Sequence, residues 1–86
     1  MNITTLNLGN NRIHSIEPLR DLNKLQTLDL KANQLWNPDE LIILREMKQL
    51  IFFSIFQNSI SMFEESIFGI LKMYLSSRDI VTVHVK

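Results

Sequence analysis

Leu25-Gln26-Thr27-Leu28-Asp29-Leu30-Lys31-Ala32-Asn33-Gln34-Leu35 reads Leu-x-x-Leu-x-Leu-x-x-Asn-x-Leu. Leu28 and Leu30 alternate as in a short strand with one buried side, and Asn33 stands three residues further on, where such a strand ends. The frame recurs 22 residues earlier as Ile3, Leu6, Leu8, Asn11 and Ile13, and 25 residues later as Leu50, Phe53, Ile55, Asn58 and Ile60. Five positions hold in three copies, so the chain is a tandem array of one strand-and-return unit. A unit this small cannot bury its own apolar side; copies lying side by side share one core.

The Asn of each copy has a structural job in such an array. Where the chain turns off the strand, backbone amides and carbonyls leave the ladder and still need partners, and an Asn side chain supplies a donor and an acceptor together. Asn11, Asn33 and Asn58 are therefore predicted to form a structural ladder between copies.

This Asn-punctuated frame resembles the leucine-rich repeat family. The resemblance implies an α/β fold: a solenoid with a parallel sheet on its concave face, short return helices on its convex face, and a C-terminal capping helix. Ile13, Ile16, Leu19 and Leu22, spaced every third residue within a 22-residue repeat, are similar to the short intracellular subclass typified by the regulatory subunit of protein phosphatase 1. The axonemal dynein light chain, the spliceosomal A′ protein and the acidic nuclear phosphoproteins resemble that subclass too. Its members end in a cap of an Asn-Pro-Leu turn, a helix and a last strand. Asn58-Ser59-Ile60 stands at the turn without its Pro, and Ile70, Tyr74 and Ile80 stand at the cap's apolar positions, so the resemblance implies a degenerate cap.

A single domain is predicted over residues 1–86, with repeats at about 3–24, 25–49 and 50–60 and the capping helix and last strand at about 61–86. The every-third-residue spacing from Ile13 through Leu25 suits a tight, 3₁₀-like return, and Glu17-Pro18 fits its start. The second repeat carries three extra residues after Leu35. There Asn37-Pro38-Asp39-Glu40 combines an N-cap, a first-turn Pro and Glu at N3, predicting a helix over 38–47 with Leu41, Leu44 and Met47 toward the core and Arg45, Glu46 and Lys48 solvated. Ser61-Met62-Phe63-Glu64 matches the capping box and predicts a helix over 62–75. Its core stripe is Phe63, Ile67, Ile70, Leu71 and Tyr74, widened by Met62, Phe68, Met73 and Leu75. Ser76-Ser77-Arg78-Asp79 breaks that helix, and Val81, Val83 and Val85 alternate as a strand. Valine burial favours Val83 and Val85 inward, whereas the family's spacing puts Ile80 and Thr82 there.

Nine basic and nine acidic residues cancel, and no basic stripe supports phosphate contacts with nucleic acid. Zero Cys excludes disulfides, thiolate zinc sites and a cysteine nucleophile. His14 and His84 lie about three repeats apart, too far to share a metal or a proton relay. Glu64-Glu65 fits a helix first turn, and Gly9 and Gly69 each stand alone, without a phosphate loop. The expectation is no enzyme activity, no metal, no cofactor and no small-molecule substrate. The opening Met-Asn-Ile-Thr-Thr is not a secretory signal, and the apolar run from Leu50 to Phe56 falls far short of the roughly 20 residues of a membrane span. Secreted leucine-rich repeat proteins resemble one another in Cys-rich caps; a chain without Cys is expected in the cytoplasm or elsewhere inside the cell, the nucleus and cilium included.

Alternation assigns the concave face. With Phe53 and Ile55 inward, Phe52, Ser54 and Phe56 point outward, as do Thr5, Asn7 and Gly9 in the first repeat and Thr27, Asp29 and Lys31 in the second. Phe52 and Phe56 are candidate partner-binding anchors, with Ser54 between them and Asn7, Asp29, Lys31 and His84 around them; alternatively the last helix or the tail folds over the rings. No cap precedes Ile3, Leu6, Leu8, Ile13 and Ile16, so either the chain is a fragment of a longer repeat protein or another chain pairs with that edge. The functional expectation is a non-catalytic adaptor, scaffold or regulatory subunit that binds a protein through the concave face. A structural subunit embedded in a large assembly, such as an axonemal one, is the alternative. The resemblance implies partners such as a phosphatase catalytic subunit, a dynein heavy chain or an RNA-binding protein.

Overall fold

A computed structural model describes residues 3–75 and 82–84, with the last strand and Phe63, Glu64, Phe68 and Leu75 described by backbone alone. Four three-residue strands, β1 (Thr5–Asn7), β2 (Thr27–Asp29), β3 (Phe52–Ser54) and β4 (Thr82–His84), form one parallel sheet in chain order. Leu6, Leu28 and Phe53 are register partners, the same 22- and 25-residue steps as in the sequence, and Val83 continues the row. That register agrees with the valine alternation and departs from the family spacing, which makes Ile80 and Thr82 the inward pair and would put Ile80 in this row. Ile80, Val81 and Val85 lie outside the described residues, as does the Ser76–Asp79 break.

The returns follow from the three-residue spacing. In an α-helix a residue three positions on is displaced by about 60° around the axis, so a run of every-third apolar residues spirals off one face; three residues per turn keeps the run in line. Leu19 N–H donates to Ile16 O at 2.9 Å, Leu22 N–H to Leu19 O at 3.0 Å and Leu25 N–H to Leu22 O at 3.3 Å, each bond joining one apolar residue to the next. The second return does the same: Met47 N–H reaches Leu44 O and Leu50 N–H reaches Met47 O, both at 3.1 Å. The segment Pro38–Glu46 is accordingly a 3₁₀ helix, within one residue of the helix over 38–47 that its N-terminal signals predict. Leu41, Leu44 and Met47 are buried; Ile43 is buried as well, which three-fold spacing alone does not indicate. Asn37 caps this segment, its Oδ1 accepting Asp39 N–H at 3.0 Å.

The third return opens with a 3₁₀ turn, Ser59–Phe63, before α1 runs over Glu64–Leu75. Ser61 lies inside that turn and donates its hydroxyl to Ile55 O at 2.7 Å, so it does not cap the helix and the helix starts two residues later than its sequence signal implies. Ile67 and Leu71 are buried, and Ile70 and Tyr74 half-buried. Met62 and Met73, assigned to a widened core stripe, are 80% and 66% exposed. These two methionines therefore do not widen the face that meets the core; the side chains of Phe63, Phe68 and Leu75 lie outside what is described. α1 packs on the Pro38–Glu46 segment, where the Arg45 guanidinium stands 5.8 Å over the Tyr74 ring.

Burial is graded along the array. Leu25, Leu28, Leu30 and Leu35 of the second repeat and Leu50, Phe53, Ile55 and Ile60 of the third are buried, each leucine-sized side chain contributing about 1.5–3 kcal/mol. Ile3, Leu6, Leu8 and Ile13 are only half-buried. In all three copies the residue before the ladder Asn sits in the left-handed region, Asn10 at φ 61°, Ala32 at 55° and Gln57 at 60°, which turns the chain off the strand.

Glu40 ties two returns together. Its sequence position suggested a bond back to its own N-cap; instead Oε2 accepts the Ser15 hydroxyl at 2.8 Å and Oε1 accepts Ile16 N–H at 3.0 Å, both from the first repeat. Glu40→Ala leaves the Ile16 amide without its acceptor and the Ser15 hydroxyl, which still accepts Glu17 N–H at 3.1 Å, with no acceptor for its proton, and is expected to cost about 1–2 kcal/mol. Urea unfolding measures it, with accelerated exchange at the Ile16 amide as the local signature.

Candidate protein-interaction face

On the sheet face opposite the core, the register sets Thr5 beside Thr27 and Phe52, and Asn7 beside Asp29 and Ser54. The second of these rows has a backbone role. Gly9 N–H donates to Asn7 Oδ1 at 3.2 Å, Lys31 N–H to Asp29 Oδ1 at 3.0 Å and Phe56 N–H to Ser54 Oγ at 3.4 Å. Each side chain satisfies the amide two residues on, the local bond that Asn, Asp and Ser make where a strand ends. Asn7 remains exposed and Asp29 half-exposed, so both still present polar atoms to solvent. Ser54 does not. It is 1% exposed, which removes it from the surface on which alternation placed it.

Phe52 and Phe56 are half-buried, where alternation alone suggested exposed rings. Lys31 is exposed, and its aliphatic chain runs over Gly9: a Cβ there would lie 3.1 Å from Lys31 Cγ and 3.3 Å from Cε. Glycine leaves room for that stem, and the ammonium stays in water. His84 pairs in register with Ser54, and its side chain lies outside what is described. The face therefore gathers half-covered aromatic edges at the third repeat and open polar groups at the first two.

Asn33 and Asn58 are the buried polar groups between repeats. Asn33 Nδ2 donates to Leu8 O at 2.9 Å and Leu30 O at 3.0 Å, and its Oδ1 accepts Ile13 N–H at 3.0 Å. Asn58 Nδ2 donates to Leu30 O at 2.8 Å and Ile55 O at 3.0 Å, and its Oδ1 accepts Leu35 N–H at 2.9 Å. Asn11, at the same position, is exposed and among the described residues bonds only Leu8 O and Gly9 O of its own turn.

Two residues escaped the sequence reading. Glu40 did so because a capping box and an inter-repeat bond need the same residue at the same place. Trp36, 63% exposed, sits where the first repeat has His14 and the third has Ser61; aligning the copies marks it as an aromatic at an otherwise polar position. Among the described residues no group of three or more His, Cys, Asp or Glu is placed to hold a metal ion, and no helix is long and apolar enough to cross a membrane.

No curated protein and no solved structure matches the chain. A family model described as leucine-rich repeats, in two copies, matches residues 2–42, the stretch that carries β1, β2 and the ladder residues Asn11 and Asn33. Domains of that family generally mediate protein–protein interaction and are typically non-catalytic. With the parallel sheet and its repeating register, that match supports a leucine-rich repeat protein.

Proposed function

We propose that this chain is a short leucine-rich repeat solenoid, closed at its C-terminal end by α1 and β4, that serves as a non-catalytic adaptor or regulatory subunit and binds a partner protein through the face carrying Phe52 and Phe56. The observation that carries the reading is the position of those rings. Phe52 stands in the outward row beside Thr27, and both rings are half-covered, whereas Phe53 between them in sequence is wholly buried. Aromatic edges next to solvated polar groups are the composition of an interface centre and its rim. The short intracellular subclass is the best-fitting branch of the family, on the 22-residue spacing of the first return.

Capture of partners from cell extract by the wild-type chain and by Phe52→Ala/Phe56→Ala tests this. The double variant is expected to lose about thirtyfold in affinity, the effect of removing about 2 kcal/mol of anchor, while keeping its fold. A variant that melts far lower yet captures the same partners would show the rings to be core and defeat the proposal. The embedded-subunit reading draws on a different observation, the exposure of Trp36, Met62 and Met73. Obligate oligomers or aggregates of the isolated chain in sedimentation would favour it over a freestanding adaptor.

A further inference from the structure

The Ser15 hydroxyl makes two bonds of different kinds. Its Oγ accepts Glu17 N–H at 3.1 Å, which turns the chain into the first return, and donates to Glu40 Oε2 at 2.8 Å, which ties that return to the second. The turn by itself does not call for a hydroxyl: 22 residues on, at the same place in the second repeat, Asn37 Oδ1 accepts Asp39 N–H. What the tie needs is the proton, because a carboxylate can only accept. Glu40 Oε1 takes Ile16 N–H in the same grip, and Ile16 is 1% exposed. One hydroxyl proton thus stands at the joint between two returns.

The chain around that joint is open to a second protein. Residues 12–15 belong to no helix or strand; Arg12, His14, Glu17 and Pro18 are exposed, and Ser15 is half-buried. Arg12 makes no hydrogen bond or ion pair among the described residues. The residues three positions after the four arginines are Ser15, Asn23, Lys48 and Val81, so Ser15 is the hydroxyl with a guanidinium three places ahead of it. Thr27 has Lys24 at that distance but lies in β2. Kinases choose substrates by such charge patterns, and a guanidinium pairs bidentately with the carboxylates of an acidic substrate pocket.

We propose that Ser15 is a phosphorylation site for an arginine-directed serine kinase, and that phosphate there releases the first return from the second. Ser15 Oγ attacks the γ-phosphorus of ATP; an O–P bond forms as the bond from that phosphorus to the bridging β,γ-oxygen breaks, ADP leaves, and the hydroxyl proton passes to the kinase's base. Because Ile16 follows directly and is buried, the kinase meets Ser15 during local opening of the return. The product then opposes reclosing. It has no proton for Glu40 and sets about −1.5 to −2 charge against that carboxylate, so the two repel. Glu40 withdraws, and the Ile16 amide loses its acceptor with it. The site does not rest on the Phe52/Phe56 reading.

The test incubates the full chain with magnesium-ATP and a calmodulin-dependent serine/threonine kinase, then locates the phosphate by fragmentation mass spectrometry. One phosphoryl group on Ser15 is expected, and none on Ser15→Ala. Arg12→Ala, a change at an exposed position, should slow the reaction about tenfold, the effect of one lost charge-assisted pair. In the phosphorylated chain the Ile16 amide should exchange with solvent about tenfold faster, as for one lost hydrogen bond. Glu40→Gln keeps an acceptor and removes the charge, so phosphorylation should change its Ile16 exchange much less. Absence of modification, modification elsewhere in preference to Ser15, or a rate indifferent to Arg12→Ala would each overturn the site. Unchanged Ile16 exchange in the phosphorylated chain, or an equal change in Glu40→Gln, would overturn the release.

Discussion

Phe53→Ala is expected to lower the free energy of unfolding by about 3–5 kcal/mol, the cost of removing a fully buried aromatic from a core that cannot close around the gap. Phe53 has no exposed surface and lies in register between Leu28 and Val83, on a sheet whose core side is lined by the buried Ile55, Leu50 and Ile67. For 86 residues a total stability of about 4–13 kcal/mol is ordinary, so this one change threatens the whole fold. Phe52→Ala and Phe56→Ala, at half-buried sites, should each cost about 1 kcal/mol or less. Chemical denaturation of the three single variants checks the order. Equal losses at 52 and 53 would contradict the strand's two-sidedness.

Asn58→Ala should cost about 2–4 kcal/mol, and the reason is one amide more than four bonds. When the side chain goes, Leu30 O still receives Asn33 Nδ2, Ile55 O still receives Ser61 Oγ, and Phe56 O still receives Ala32 N–H. Leu35 N–H has no substitute; it is left buried and unpaired, at about 1–3 kcal/mol by itself. Asn58→Asp should be at least as damaging at neutral pH, because it keeps the acceptor and turns a carboxylate toward three carbonyl oxygens. The ladder predicts a gradient: Asn33→Ala at about 1–3 kcal/mol, with Ile13 N–H only partly buried, and Asn11→Ala below about 1 kcal/mol. Urea midpoints of the three alanine variants give the comparison.

How far the sequence carries is visible in particular residues. Leu6, Leu28 and Phe53 are neighbours in one sheet because a two-residue period and a repeated frame leave one register that buries all three, and both signals are written in residue identity. The pitch of the second return is not fixed by its start signals, for a physical reason. Asn37, Pro38 and Glu40 announce the start of a helix but carry no information on its pitch, while Leu41, Leu44, Met47 and Leu50 already held the three-residue period that decides it. Ser61 shows the same ambiguity: a hydroxyl three residues before a Glu can cap a helix or reach back to Ile55, and only the course of the preceding strand selects between them. Alternation assigns Ser54 to the outward row, but the depth at which it lies, buried rather than at the surface, depends on neighbours in space that no local pattern records.

The three-residue ladder of the returns has a consequence for how this chain can change in length. From Ile13 to Leu25 the apolar residues advance in steps of three, and from Leu35 to Leu50 they do so again with one step more, the whole difference between a 22- and a 25-residue unit. A loop that grows by a full winding delivers the next strand in unchanged phase, while gaining or losing one or two residues would rotate every following leucine away from its slot. Insertions here are quantised, and the winding number of each return is a dial that evolution or a designer can turn without touching the sheet.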